Sequence, residues 1–416
     1  MALDIFLDEG VRSFMQEHER AEVAALALKK PPCEDWPYPL ILDQIKVRQK
    51  ARFKTPVLCD TKGFVFPSSH LYEQASSESC AAYKANITRG CGDCFVDLTA
   101  GCGVDSFALV KNFRRGSLVE KNLDYARVLE HNADVLARGC EAFGSVQVWQ
   151  GEAQAYVYEM VKEGRRADLV FVDPQRRDND VSGRKGFFDF GTCSPNVLKL
   201  LPDLARVSKC ALIKAAPFLD IDKALEQLRS SVGRDCRIDV HVLQWRGECK
   251  EVLYFLRFSG SSGKDREIIT AVDLDDAGDV QCEVSFSRTM ERDALVTYAF
   301  PEVGDYIYEP GPAFQKAGGY KYLSQEFNMA KLHANTHLYI SHSRNHYFPG
   351  KGYRVSGVFP LKLKSLPVNK ADVAVRNFPL GVSALKKRLK IEDGGVYRLY
   401  ACTTHDNKCT LVLCDK

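Results

Sequence analysis

The sequence predicts an α/β fold: a Rossmann-like, mostly parallel sheet closed by an antiparallel hairpin, with a helical segment before it and α+β domains after it. Three observations lead there. Short apolar runs alternate with helical stretches, each of the first four runs ends at an acid, and a glycine pair follows the first of them.

Residues 1–66 read as helices and then loop, because Phe6, Val11, Phe14 and Met15 recur at near-helical spacing. Pro31-Pro32 and Trp36-Pro37-Tyr38-Pro39 interrupt them. Ser76 and Ser77 ahead of Glu78 predict the N-cap of a helix running to Ile87. The segment V-D-L-T-A-G-C-G-V-D-S at 96–106 predicts a strand ending in Asp97, then Gly101 and Gly103 opening a helix over 104–113. Alternate glycines let the backbone turn sharply and approach a ligand, which then meets the positive end of the helix. A dinucleotide loop, G-x-G-x-x-G, needs a glycine where this chain has Ser106, so that reading weakens.

The second run, Ser117 to Glu120, ends in a carboxylate suited to two ribose hydroxyls, and a helix is predicted over 122–142. The third, V-Q-V-W-Q-G-E at 146–152, sets Gly151 and Glu152 where an adenine amino group would need an acceptor, ahead of a helix over 153–164. The fourth, D-L-V-F-V-D-P at 168–174, ends at Asp173-Pro174. Beyond it, Arg176 and Arg177 suggest an anion contact. Phe187, Phe188 and Phe190 in G-F-F-D-F fit packing against the sheet edge more readily than a stacking surface. Ser194 as N-cap and Pro195 at the first helical position predict a helix to 207, and C-A-L-I-K-A-A at 210–216 a fifth strand. After a helix around 220–230, two strands at 237–245 and 251–258 are joined by the polar turn R-G-E-C-K. Ser259 to Lys264 reads as a linker, followed by strands at 266–273 and 281–286 and a helix near 289–294.

The loop D-x-x-x-G-x-G and the parallel sheet with its terminal hairpin resemble the class I S-adenosylmethionine (SAM)-dependent methyltransferase fold, with seven strands. The chain is further identified as similar to an uncharacterised bacterial family of that class with ferredoxin-like and THUMP-like C-terminal domains. The catalytic part of that family is itself similar to trimethylguanosine synthases. The strings that carry the likeness are E-Q-A-S-S-E at 73–78, D-L-T-A-G-C-G-V-D-S at 97–106, D-P-Q-R-R-D at 173–178, Y-E-P-G-P-A at 308–313 and V-R-N-F-P-L at 375–380. By resemblance, SAM is the cofactor, and Asp97, Thr99, Gly101, Gly103, Asp105, Ser106, Glu120, Lys121, Gly151, Glu152 and Ala153 hold it. Asp97 would answer the methionine ammonium, and the 73–78 segment would border the pocket. Asp173 and Pro174 would face the substrate as the catalytic pair, Asp173 accepting a proton from an N–H nucleophile, with Arg176, Arg177, Phe187 and Phe188 as substrate contacts. Relatives that methylate exocyclic amines carry an aromatic ring after the acid and prolines. Here Gln175-Arg176 follows instead.

The expected domains are 1–66 (helical), 67–260 (methyltransferase), 265–304 (a small ferredoxin-like unit) and 305–416 (THUMP-like and basic). From Lys331 onward 15 Lys and Arg face 5 Asp and Glu, a net of +10 that leaves −7 for the rest of the chain. His333, His337, His342, His346 and His405 fall there beside Tyr339, Tyr347, Phe348 and Tyr353. Cations interleaved with rings suit an RNA backbone and its splayed bases, and equally a solvated charged face. The histidine spacing does not favour metal, since His337 to Tyr339 reads as a strand, and Cys91-Gly92-Asp93-Cys94 lacks a second pair. Cys193 in T-C-S precedes a helix, an unfavourable place for a thiolate nucleophile. The 15 cysteines are too few for a disulfide scaffold and read as reduced thiols. With no basic leader or membrane-length apolar run, a cytoplasmic protein is expected. The expected activity is SAM-dependent methylation of structured RNA. The alternatives are a non-catalytic SAM-binding RNA scaffold and a methyltransferase of a small molecule or protein.

Overall fold

The computed structural model describes residues 3–140, 143–176, 189–232, 235–258, 267–362 and 366–416. It divides into two compact units: Met1–His241, Glu251–Arg266 and Leu274–Asp279, and Val242–Lys250, Glu267–Asp273 and Val280–Lys416.

The first unit is built on β1 (Cys94–Asp97), β2 (Arg115–Glu120), β3 (Ser145–Gln150), β4 (Ala167–Val172), β5 (Ser208–Ala215) and the hairpin β6 (Arg237–Trp245) and β7 (Glu248–Arg257), whose tip belongs to the second unit. Their order is β6-β7-β5-β4-β1-β2-β3 within a sheet of nine strands, two more than the seven expected. The pairs β1–β2, β1–β4, β2–β3 and β4–β5 are parallel, and β7 lies antiparallel to β5. This is the class I methyltransferase sheet. Leu169, Val170, Phe171 and Val172 of β4 are all buried, as expected of a strand covered by helices on both faces. Because β1 has β2 on one side and β4 on the other, the chain crosses over in opposite directions there, which opens a crevice at the carboxyl ends of these strands.

The N-terminal helices Glu9–Glu17 and Tyr38–Lys54 share a buried cluster with the helix Leu123–Gly139: Val11, Ile41, Leu42 and Ile45 pack with Val65 and Val128. Asp8 caps the first of these helices by accepting from Val11 N at 2.9 Å.

Several local expectations are corrected. The helix after the glycine loop spans only Val104–Leu109 before a 3-10 turn, and the helix after β2 ends at Gly139. The helix before β5 is Val197–Val207, capped by Asn196, which accepts from Lys199 N at 3.1 Å. Ser194 instead pairs through its backbone with Gln175 in a short ribbon, two residues ahead of the cap. The hairpin turn is two residues, not five, because Arg246 (φ 52°) and Gly247 (φ 73°) both take the left-handed conformation of a type I′ turn. Residues 259–264, read as a linker, lie outside the described residues.

The second unit contains β8 (Glu267–Leu274) and β9 (Val280–Phe286), the helix Arg288–Asp293, and a sheet of β10 (Tyr306–Pro310), β11 (Ala330–His333), β12 (Thr336–Ser341), β13 (Gly350–Pro360), β14 (Asp372–Arg376), β15 (Tyr397–Thr403) and β16 (Cys409–Asp415). The sheet order is β11-β12-β10-β13-β16-β15-β14. Ile307, Leu338, Tyr400 and Val412 form one buried cluster, and Leu385, Leu389, Leu399 and Leu411 another under the helix Val382–Leu389.

Candidate cofactor and substrate site

At the carboxyl ends of β1 and β4 lies a cavity lined by Gln74, Ala75, Ser76, Asp97, Thr99, Gly101, Gly103, Asp105, Asp173 and Gln175, among others. The glycine loop forms its floor. Gly101 (φ +52°) and Gly103 (φ +77°) hold backbone conformations that side chains disfavour. A Cβ on Gly101 would make ordinary van der Waals contact with Thr99 O at 3.7 Å and Leu71 Cδ1 at 3.9 Å, both residues that also line the cavity. A Cβ on Gly103 would strike Phe107 at 2.4 Å, so that glycine serves the packing of the following helix.

Asp97 is buried and fully engaged, Oδ1 accepting from Thr99 N at 2.8 Å and Oδ2 from Ser106 Oγ at 2.5 Å. Burial pushes its carboxyl up to about 7, against the pull of those two hydrogen bonds. Glu120, at the end of β2, accepts from Gly101 N at 3.1 Å and from Asn122 N at 2.8 Å. Burial raises its carboxyl too, and these backbone bonds oppose the rise.

Behind the cavity runs a charged network drawn from five elements. Asp105 Oδ2 accepts from Ser76 Oγ at 2.8 Å, and Asp105 Oδ1 lies 3.1 Å from Lys84 Nζ without a well-directed hydrogen bond. Lys84, wholly buried, also pairs with Glu251 of β7 and donates to Ser76 Oγ at 3.0 Å. Lys214 of β5 donates to Asp173 Oδ2 at 2.6 Å and stands 3.7 Å from Asp105 Oδ2. Burial alone would raise Asp105, yet Lys84 and Lys214 hold it below the ordinary carboxylate range. Burial pushes Asp173 up while Lys214 opposes it. Burial would lower Lys214, but Asp173 and Asp105 hold it above an ordinary amine.

The structure thus gathers Asp97, Thr99, Gly101, Gly103, Asp105 and Asp173 on one cavity wall. Ser106 sits behind it, buried, and Glu120 touches it through Gly101. Lys121 and Glu152 are exposed and Ala153 is buried, none on the wall, while Gly151 N donates to Glu120 O at 2.9 Å. Pro174 is buried behind the wall, and Arg176 contributes backbone pairing with Cys193. Arg177, Phe187 and Phe188 lie outside the described residues. Phe190 is buried against Tyr254 with ring centroids 5.4 Å apart, so it packs in the core. Cys193 is likewise buried, donating to Phe190 O and Pro195 O at 3.0 and 3.1 Å, a structural thiol.

Sequence reasoning missed Lys84, Lys214 and Glu251 as site components, while Ser76 lies in the 73–78 segment expected to border the pocket. Their one local signal is a lone charge inside an apolar run, as Lys214 is in A-L-I-K-A-A.

In the second unit, the rings read as base-stacking surfaces are mostly core. Tyr339 and Phe348 are buried 5.3 Å apart, Tyr353 is half-buried, and Tyr347 alone of the four is open, at 85 %. His337 stacks on Tyr320 at 3.4 Å, and His342 pairs with Asp305 at 2.7 Å. Among the described residues no group of three His, Cys, Asp or Glu is placed to hold a metal, and no helix is long and apolar enough to cross a membrane.

Comparison with known proteins adds the domain identities. A ferredoxin-like domain family is matched over residues 306–349 and a THUMP domain-like family over 350–416. The chain carries a ferredoxin-like and a THUMP-like domain. The former falls at 306–349 rather than in the 265–304 segment expected of it. A crystal structure from Porphyromonas gingivalis, provisionally described as a methyltransferase, is similar over the whole fold. It has 25% identity and a TM-score of 0.83, covering 100% of this chain and 98% of that one. A second provisional methyltransferase, solved with S-adenosylhomocysteine (SAH), shares 13% identity over 52% of this chain and 49% of its own, with a TM-score of 0.33. A third, from Streptococcus mutans, shares 10% over 44% and 50%, with a TM-score of 0.34. These two overlaps are too loose to bear on function. No curated protein matches the chain.

Proposed function

We propose that this protein is a SAM-dependent methyltransferase of the cytoplasm that modifies structured RNA, the first unit transferring the methyl group and the second docking the RNA. The observation that carries the reading is the cavity itself: a left-handed glycine turn between β1 and its helix, with Asp173 facing it from β4 in a sheet of class I order. The residues fit SAM in two respects. At Gly101 the bare backbone forms part of the cavity wall, and the acids Asp97, Asp105 and Asp173 on that wall suit a ligand that carries an ammonium and a sulfonium. Bound there, SAM supplies an electrophilic methyl group.

The protein's own part is placement. Asp97 holds the loop in shape through Thr99 and Ser106, and Glu120 holds Gly101 from the next strand. Asp173 orients the nucleophile and accepts its proton, the kind of geometric contribution that dominates a transfer with little proton movement until late. The basic surplus from Lys331 onward and the THUMP-like domain support RNA as the partner, and the free cysteines support a reducing compartment.

Calorimetric titration with SAM is expected to show binding that Asp97→Ala or Glu120→Ala abolishes, and undiminished binding in both variants refutes the site. Methyl transfer from labelled SAM into total RNA, protein and small-molecule fractions then separates the activities. Label in the RNA fraction supports the proposal, label elsewhere redirects it, and no label in any fraction leaves a SAM-binding scaffold.

A further inference from the structure

Lys214 stands where β5 meets the two acids of the cavity wall. Its side chain is about one-tenth exposed, and its ammonium is 2.6 Å from Asp173 Oδ2 and 3.7 Å from Asp105 Oδ2. Asp173 is held twice over, because its backbone N also donates to Thr99 Oγ1 at 2.7 Å. With Oδ2 engaged, Oδ1 has no hydrogen-bond partner among the described residues, and a third of the side chain remains open. A lysine pointing into an apolar sheet is costly unless its charge is used, and here it is satisfied by carboxylates on the glycine-loop helix and on β4.

We propose that Lys214 is a positioning residue for methyl transfer: by engaging Oδ2 it orients the Asp173 carboxylate, keeps it charged and leaves Oδ1 as the acceptor offered to the cavity, where it takes the proton of an N–H nucleophile. This rests on the SAM reading of the same cavity. In the step it serves, the nitrogen lone pair forms the bond to the methyl carbon and the C–S electron pair returns to sulfur. The N–H proton passes to Asp173 Oδ1, leaving a neutral acid beside the ammonium of Lys214. Charged groups reach Asp173 from several elements: Lys214 on β5, Asp105 and Lys84 from two helices, and Asp97 from β1, while Glu251 on β7 acts on Lys214. Without Lys214, Lys84 alone offsets Asp105 and Asp97, and Asp173 binds its proton more tightly.

The test uses the full chain with Lys214→Met and Lys214→Arg. Carboxyl protonation is followed against pH by infrared spectroscopy, the Asp173 signal being the one lost in Asp173→Asn. Lys214→Met is expected to raise the midpoint of that signal by about one pH unit and to lower methyl transfer most on the acid side of that midpoint, by up to about tenfold, with recovery in alkali. Lys214→Arg is expected to behave like the parent, and SAM affinity to change little in either variant. An Asp173 signal that titrates in Lys214→Met as it does in the parent overturns the proposal. Should Lys214→Met fail to fold, Lys214→Gln and Lys214→Arg carry the comparison, and equal titration in those two overturns it. Absence of SAM binding in the parent protein overturns the cofactor reading instead, and is seen separately by calorimetry.

Discussion

Ser106 Oγ donates to Asp97 Oδ2 at 2.5 Å and so ties the first turn of the helix Val104–Leu109 to the end of β1. The bond closes the loop from within, and its acceptor is a buried carboxylate that burial lifts from 3.8 to about 7. The unfolded chain therefore releases this proton near its ordinary value and the folded chain only near pH 7, so the folded state loses stability as pH rises between those values.

Ser106→Ala removes the donor to Asp97 Oδ2 and is expected to destabilise the protein by about 1–3 kcal/mol, more above pH 7 than below it. Urea unfolding at mildly acid and mildly alkaline pH measures the difference. An equal loss at both would show that Asp97 does not titrate in this range.

Lys84 is wholly buried between Asp105 and Glu251. Lys84→Met strands those carboxylates and is expected to cost about 3–5 kcal/mol, whereas the double change Lys84→Met with Glu251→Leu should recover part of it. Denaturant unfolding of the two single variants and the double variant completes the cycle.

Gly101→Ala and Gly164→Ala introduce the same kind of backbone strain, since Gly101 has φ +52° and Gly164, the C-cap of the helix Ala153–Glu163, has φ +66°. Each is expected to cost about 1–2 kcal/mol of stability. Gly101 lines the cavity and Gly164 does not. SAM affinity, read by calorimetry, should fall at least about tenfold for Gly101→Ala and stay unchanged for Gly164→Ala, because only the first methyl occupies the ligand's space.

Lys390 ends the helix Val382–Leu389 in the left-handed conformation, φ 56°, and is exposed. Lys390→Gly relieves a strain of about 1–2 kcal/mol but gives the unfolded chain more freedom, so a net gain of roughly 0.5–1 kcal/mol is expected. The denaturant midpoint of the second unit reads it directly.

Much of the first unit was legible in the chain because its signals are local. A β-branched run, a glycine pair and an acid at each strand end lie within a few residues of one another, and a parallel sheet buried on both faces leaves continuous apolar strings such as L-V-F-V. Boundaries were less legible where two candidate caps lie close together: Ser194 falls in the ribbon with Gln175, and the helix begins two residues later at the Asn196 cap.

By itself, the sequence determined the order of strands and helices, the left-handed turn at Gly101 and the placing of Asp97, Glu120 and Asp173 at strand ends, because backbone stereochemistry and the two hydrophobic periods act over short stretches. Only the tertiary structure decided that Lys84 meets Glu251 across 167 residues and that Lys214 meets Asp173 across 41. It alone decided that Tyr339 and Phe348 pack inward. Charge pairing and side-chain burial depend on distances through space, and a lone lysine or a tyrosine in a strand carries no local mark of the partner that folding brings to it.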